Sequence, residues 1–67
     1  MENMIKLFDE IIEKLEKDKL IFEREISEQI DFVEYDSLAK LKYDRAKAKK
    51  DYCLGLIEFF NEVKNNL

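Results

Sequence analysis

The sequence has no proline, histidine, threonine or tryptophan, and Gly55 is its only glycine. Proline and glycine supply most of the tight turns that β-hairpins and barrels require, so this composition excludes an all-β fold. Histidine is the commonest metal ligand and the usual catalytic base, and its absence disfavours both kinds of site. We therefore expect no metal, no cofactor and no enzymatic activity.

Long apolar runs are absent as well. The longest ones, such as residues 20–22, fall far short of the roughly 20 apolar residues that span a bilayer. The first residues alternate in charge and lack the basic and apolar regions of a signal peptide. The single cysteine, Cys53, cannot close a disulfide within the chain, which suits a reducing compartment. These features predict a cytoplasmic protein that does not enter a membrane.

Apolar and charged residues are closely mixed, at 46% and 42% of the 67 residues. This length predicts a single domain, residues 1–67, near the size at which one core becomes marginal. The net charge of −4 hides an asymmetry between the two halves. Residues 1–36 hold twelve acids and five bases, whereas residues 37–67 hold four acids and seven bases. Opposite net charges favour the packing of one half against the other.

Both halves carry apolar residues in alternating steps of three and four, the spacing of a helix with one buried side. The first stripe comprises Ile5, Phe8, Ile12, Leu15, Phe22, Ile26 and Val33. The second comprises Ala39, Tyr43, Ala46, Cys53, Ile57, Phe60 and Leu67. The first stripe predicts a helix from about Asn3 to about Phe32, and the second predicts a helix that frays at Asn65 and Asn66.

The joint between the helices is expected around Glu34–Ser37, with Asp31, Asp36 and Ser37 as candidate N-caps. Folding the chain back there pairs positions whose numbers sum to roughly 70, as in an antiparallel helical hairpin. This register sets the bases of residues 40–50 beside the acids of residues 23–34. We predict an all-α fold, an antiparallel two-helix hairpin. The alternative is a three-helix bundle with a break near residue 18, where charges interrupt the first stripe.

The two stripes leave many apolar residues unused. A further series on the second helix widens its last third into a broad apolar arc, which a lone hairpin cannot cover. The predicted interface comprises Tyr52, Leu56, Phe59, Phe60 and Val63. A homodimer, in which two hairpins form a four-helix bundle, explains this arc; a face for a different protein and a third helix are the alternatives. Gly55 lies in the arc, either as a tolerated surface glycine or as a point of close helix approach.

A basic segment at residues 40–50 favours a second hypothesis. It carries six bases against one acid, with tyrosines nearby, and a dimer would present it twice to a duplex or structured RNA. The candidate contacts are Lys40, Lys42, Arg45, Lys47, Lys49 and Lys50. The other interpretations are solvated charges that pair within the hairpin and a patch for an acidic protein. Conversely, the acidic first helix could imitate phosphate and inhibit a nucleic-acid-binding protein.

Two weaker candidates for chemistry have structural explanations. Glu10, Glu13 and Glu16 share one side of a helix, but the lysines between them are typical of a solvated surface and not of a di-metal site. Cys53 lies on the second stripe, which predicts a buried and unreactive thiol.

In length and outline the chain resembles the plasmid copy-number regulators, whose helical hairpins pair into antiparallel four-helix dimers that bind paired RNA loops. The likeness is one of architecture, because no residue motif is shared, and it assigns neither a family nor an RNA-binding residue. The small size and the lack of catalytic residues predict a non-enzymatic regulator or inhibitor that dimerises and binds another macromolecule.

Overall fold

Two long helices lie side by side in opposite directions in the computed structural model, which describes residues 2–67. Helix α1 spans Glu2–Gln29 and helix α2 spans Ser37–Asn65. The pair measures 52 × 15 × 12 Å, and residues 2–67 contain no strand. This confirms the predicted all-α hairpin. The three-helix alternative is wrong, because α1 runs unbroken through Lys17–Lys19, where no glycine or proline interrupts the backbone hydrogen bonds.

The joint occupies residues 30–36, so it begins earlier than the expected Glu34–Ser37, and it is closely hydrogen-bonded. After α1, a 3₁₀ turn at Ile30–Phe32 occupies the last part of the expected first helix. The carboxylate of Asp36 then accepts hydrogen bonds from the backbone N–H groups of Leu38 and Ala39, at 3.0 and 3.3 Å. These bonds satisfy two amides that the start of α2 leaves without helical partners. Asp36 is therefore the N-cap among the three candidates, and Ser37 is the first helical residue.

The two predicted stripes face each other along the whole hairpin. All members of the first stripe are at least half-buried, and so are those of the second except Leu67. Phe8 and Phe60 have ring centroids 5.7 Å apart, which confirms the predicted register. The most deeply buried residues on α2 are short, namely Ala39, Ala46 and Cys53. Short side chains on one helix let the bulkier stripe of the other approach closely.

The charges pair differently from the sequence-based expectation. Among the side chains of residues 3–67, the ion pair that joins the helices is Lys64 with Asp9, at the open end of the hairpin. The predicted pairing of residues 40–50 with the acids of residues 23–34 is not formed: Lys40 instead contacts Asp44 within α2, and the Lys49 ammonium lies over the Phe22 ring. Exposed ion pairs contribute only about 0–1 kcal/mol each, so apolar burial sets the register without them.

Ala46 is only 1% exposed and lies where the helices are packed together. We expect Ala46→Leu to lower the free energy of unfolding by about 1–3 kcal/mol, because the added atoms must push the helices apart. The matched control is Ala48→Leu, which makes the same change two residues away on the exposed side of α2. Urea denaturation followed by circular dichroism measures both. Equal losses in the two variants would contradict close packing at Ala46.

Candidate protein-binding face

A second stripe on each helix lies beside the stripe that closes the hairpin. On α2 this second stripe comprises Tyr52, Leu56, Phe59 and Val63. Tyr52 is 69% exposed and Phe59 is 55% exposed, whereas Leu56 and Val63 are half-buried. On α1 the corresponding positions in steps of three and four are Met4, Leu7 and Ile11. We refer to these seven residues as the outer face. Large apolar side chains clustered in this way are unusual on a protein that acts alone.

The hairpin register places the two halves of the outer face together. Positions whose numbers sum to roughly 70 lie across from each other, as Phe8 and Phe60 show. Leu7 is therefore level with Val63, and Ile11 is level with Phe59. The outer face forms one apolar surface at the open end of the hairpin, to which both helices contribute.

An open groove of about 400 Å³ continues the outer face toward the middle of the hairpin. Its walls are mainly apolar, and it shares Tyr52 and Leu56 with the outer face. The full lining is Leu15, Asp18, Phe22, Ala48, Lys49, Tyr52, Cys53 and Leu56. A groove of this composition accepts an apolar side chain from a partner surface, with Asp18 and Lys49 available for polar contacts at its edge.

Phe60 differs in position from the other four residues of the predicted interface. Its ring packs between the helices against Phe8, and its centroid lies 5.5 Å from that of Phe59 in an edge-on arrangement. The Phe60 ring, which lies between the helices, thus packs against the exposed Phe59 ring at the surface. The α1 residues Met4, Leu7 and Ile11 were not among the predicted site residues, although their steps of three and four repeat the signal that marked the α2 series.

The six bases of residues 40–50 do not lie on one side of α2. Five of them are exposed, and Lys50 is half-buried because it occupies the stripe that faces α1. Lys42 and Lys49 project toward the side of the hairpin that carries the groove. Lys40 and Lys47 each stand two residues earlier, which turns them toward the opposite side of the hairpin. The positive charge is therefore divided between two sides of the molecule.

Of the remaining candidates, the glutamates of α1 lie apart from the groove, whereas Cys53 forms part of its lining. Cys53 is a buried free thiol within the interhelical stripe. The carboxylates of Glu10, Glu13 and Glu16 are exposed, and Glu13 lies 3.4 Å from the Lys17 ammonium. Across residues 3–67, no three acidic or thiol side chains are grouped so that they could hold a metal ion. In the same part of the chain, neither helix is apolar enough over a sufficient length to cross a membrane.

Comparison of the chain with protein-family models, with curated proteins and with solved structures found no match. The geometry of the hairpin is therefore the basis for any functional argument.

Gly55 lies on α2 with open space around it. A Cβ atom built at this position meets no other atom within 4 Å. We expect Gly55→Ala to raise the free energy of unfolding by about 0.5–1 kcal/mol, because alanine loses less backbone entropy in a helix. The control is Ala48→Gly, seven residues earlier on the same side of α2, which should lower the free energy of unfolding by a similar amount. A loss of stability or of self-association in Gly55→Ala would instead indicate a close helix contact there.

Proposed function

We propose that this protein is a non-enzymatic regulator or inhibitor that forms a homodimeric four-helix bundle and binds another macromolecule. Its single thiol is buried and unpaired, which fits a reducing compartment such as the cytoplasm. Its small size leaves no room for a large catalytic cleft, so we expect it to act by occupying a surface of its partner.

The observation that carries this proposal is the outer face. A two-helix hairpin buries one side of each helix, and this chain places further large apolar residues on a neighbouring side of both. Packing two such faces together removes the apolar area from water, at roughly 25 cal/mol per Å². A second hairpin also supplies the additional core that a chain of this length needs. The outer face therefore favours a second copy of the chain as its first partner.

Phe59→Asp tests the dimer. The carboxylate would be buried without a partner in each copy, so we expect self-association to weaken by on the order of 100-fold while helicity is retained. Leu20→Asp is the matched control, because Leu20 is 58% exposed and Phe59 is 55% exposed but Leu20 lies away from the outer face. Light scattering and sedimentation at micromolar concentration measure the effect. A well-folded wild-type monomer under these conditions would refute the homodimer.

The regulatory role requires a separate measurement. Affinity capture from the native host, followed by mass spectrometry, should enrich the same protein with wild type and with Leu20→Asp. If that partner requires the assembled bundle, Phe59→Asp should lose it. Enrichment of no protein by the wild-type bait would count against a protein target.

The basic segment supports nucleic-acid binding as a second candidate function. The observation in its favour is that Lys42, Arg45, Lys47 and Lys49 form no ion pair with residues 3–67, which leaves these four cations free for phosphate; Lys40 is paired with Asp44. The division of these charges between two sides of the hairpin weighs against it. For that reason we place it second.

Lys42→Glu combined with Lys49→Glu tests this second function. If the segment binds nucleic acid, wild type should shift a duplex or a structured RNA at low salt, and the shift should weaken steeply as salt displaces the bound cations. The double variant should abolish the shift while its helicity persists. Absence of any shift by the wild-type protein at low salt would reject nucleic-acid binding.

A further inference from the structure

We propose that the two hairpins of the dimer pack with their turns at the same end, so that α1 of each copy lies over α2 of the other. This inference rests on the proposed homodimer and specifies its arrangement. The charges that continue the outer face toward the turn favour this arrangement over the alternative.

Beyond its apolar part, the outer stripe becomes acidic on α1 and basic on α2. In the same steps of three and four, α1 continues through three acids as well as Lys14 and Ile21, and α2 continues through three bases. The three acids and three bases are Asp18, Glu25, Glu28, Lys42, Arg45 and Lys49. Asp18 and Lys49 both line the groove, which places these stripes on one side of the hairpin. None of the six side chains forms an ion pair within one copy. Each copy therefore offers an acidic edge and a basic edge beside its apolar surface.

Two symmetric arrangements bring the outer faces together. When the twofold axis runs along the helices, the turns coincide and α1 lies over the partner's α2 at the same height. The apolar ends then meet each other. Residues of the two copies whose numbers sum to roughly 70 then also lie at the same height. This brings Glu25 to Arg45 of the partner subunit and Glu28 to Lys42 of the partner subunit. Each of these ion pairs occurs twice in the dimer.

When the twofold axis runs across the helices, the turns lie at opposite ends and α1 lies over the partner's α1. The apolar end of each copy then covers the charged half of the other. Glu25 and Glu28 would lose water against the apolar side chains at the same height, which is unfavourable. Charge complementarity and apolar matching thus select the arrangement with coincident turns.

The same arrangement has a consequence for the basic segment. It directs Lys42, Arg45 and Lys49 toward the acidic edge of the second copy. Cations held in this way are not available to phosphate, so the dimer and nucleic-acid binding compete for the same side chains.

Distances between spin labels distinguish the two arrangements. The labels are attached at Tyr35→Cys in the turn or at Lys17→Cys near mid-length, each in the Cys53→Ala background with helicity verified. With coincident turns, the Tyr35 labels should lie within roughly 30 Å of each other, given interaxial helix distances of about 8–10 Å. With opposite turns, they would be separated by nearly the 52 Å length of the hairpin.

The Lys17 label is the control for assembly. It lies on the exposed side of α1, where its side chain is 72% exposed, and both arrangements bring the two labels within roughly 40 Å. A short Lys17 distance with a long Tyr35 distance would overturn the coincident turns and leave the homodimer standing. A dipolar signal at neither position would overturn the homodimer itself.

Charge reversal supplies a second, label-free test. Glu25→Arg should weaken dimerisation roughly tenfold, because it places like charges together twice, and adding Arg45→Glu should restore it. Glu10→Arg, which makes the same change in net charge on the exposed side of α1, should have little effect. Sedimentation equilibrium measures all three variants. An unchanged dissociation constant for Glu25→Arg would overturn the proposed arrangement.

Discussion

The close contact that the short members of the α2 stripe make with the bulkier side chains of the α1 stripe is the constraint on which this structure depends. Ala39, Ala46 and Cys53 are the most deeply buried residues of α2, and they let the backbone of one helix approach the other. Two helices have only one such contact to share. The same geometry that holds the hairpin together therefore leaves the neighbouring side of each helix open, and this chain fills that side with apolar residues at one end.

Electrostatics has a different role from the one that a charged sequence first indicates. The opposite charges of the two halves agree with an antiparallel hairpin, yet the basic segment makes no ion pair with α1. Exposed charges gain little from pairing, because water solvates them well already. Such charges instead distinguish one packing arrangement from another, because an arrangement that buries a charge against apolar groups is unfavourable. This is why we assign the acidic and basic edges to the arrangement of the dimer rather than to the stability of one copy.

The proposed function follows from the same two features, the apolar outer face and the charges beside it. The thiol is buried and Glu13 is paired with Lys17 on the exposed side of α1, so the proposal is built on the surfaces of the hairpin. The outer face is apolar, contributed by both helices and continuous with the groove. The basic segment is exposed but divided between two sides. Self-association and nucleic-acid binding therefore draw on overlapping residues, and Lys42 and Lys49 belong to both hypotheses.

Helical periodicity and composition alone determined the fold class, the antiparallel direction and the members of the interhelical stripe. These are properties of spacing, and a stripe in steps of three and four becomes one side of a helix whatever it packs against. Sequence alone also limited the N-cap to three candidates. It could not choose Asp36, because the choice depends on where the backbone leaves the helical region and which amides its carboxylate can reach.

Tertiary structure decided the remaining features. Predicted ion pairs between residues 40–50 and residues 23–34 failed to form, because nearness in register does not bring flexible side-chain ends together. Met4, Leu7 and Ile11 joined the site only when the packed hairpin placed them beside the α2 series, since a surface shared by two helices is not visible in the pattern of either one. Sequence spacing thus specified which residues share one side of a helix, whereas the packing of the helices decided which sides combine into a surface.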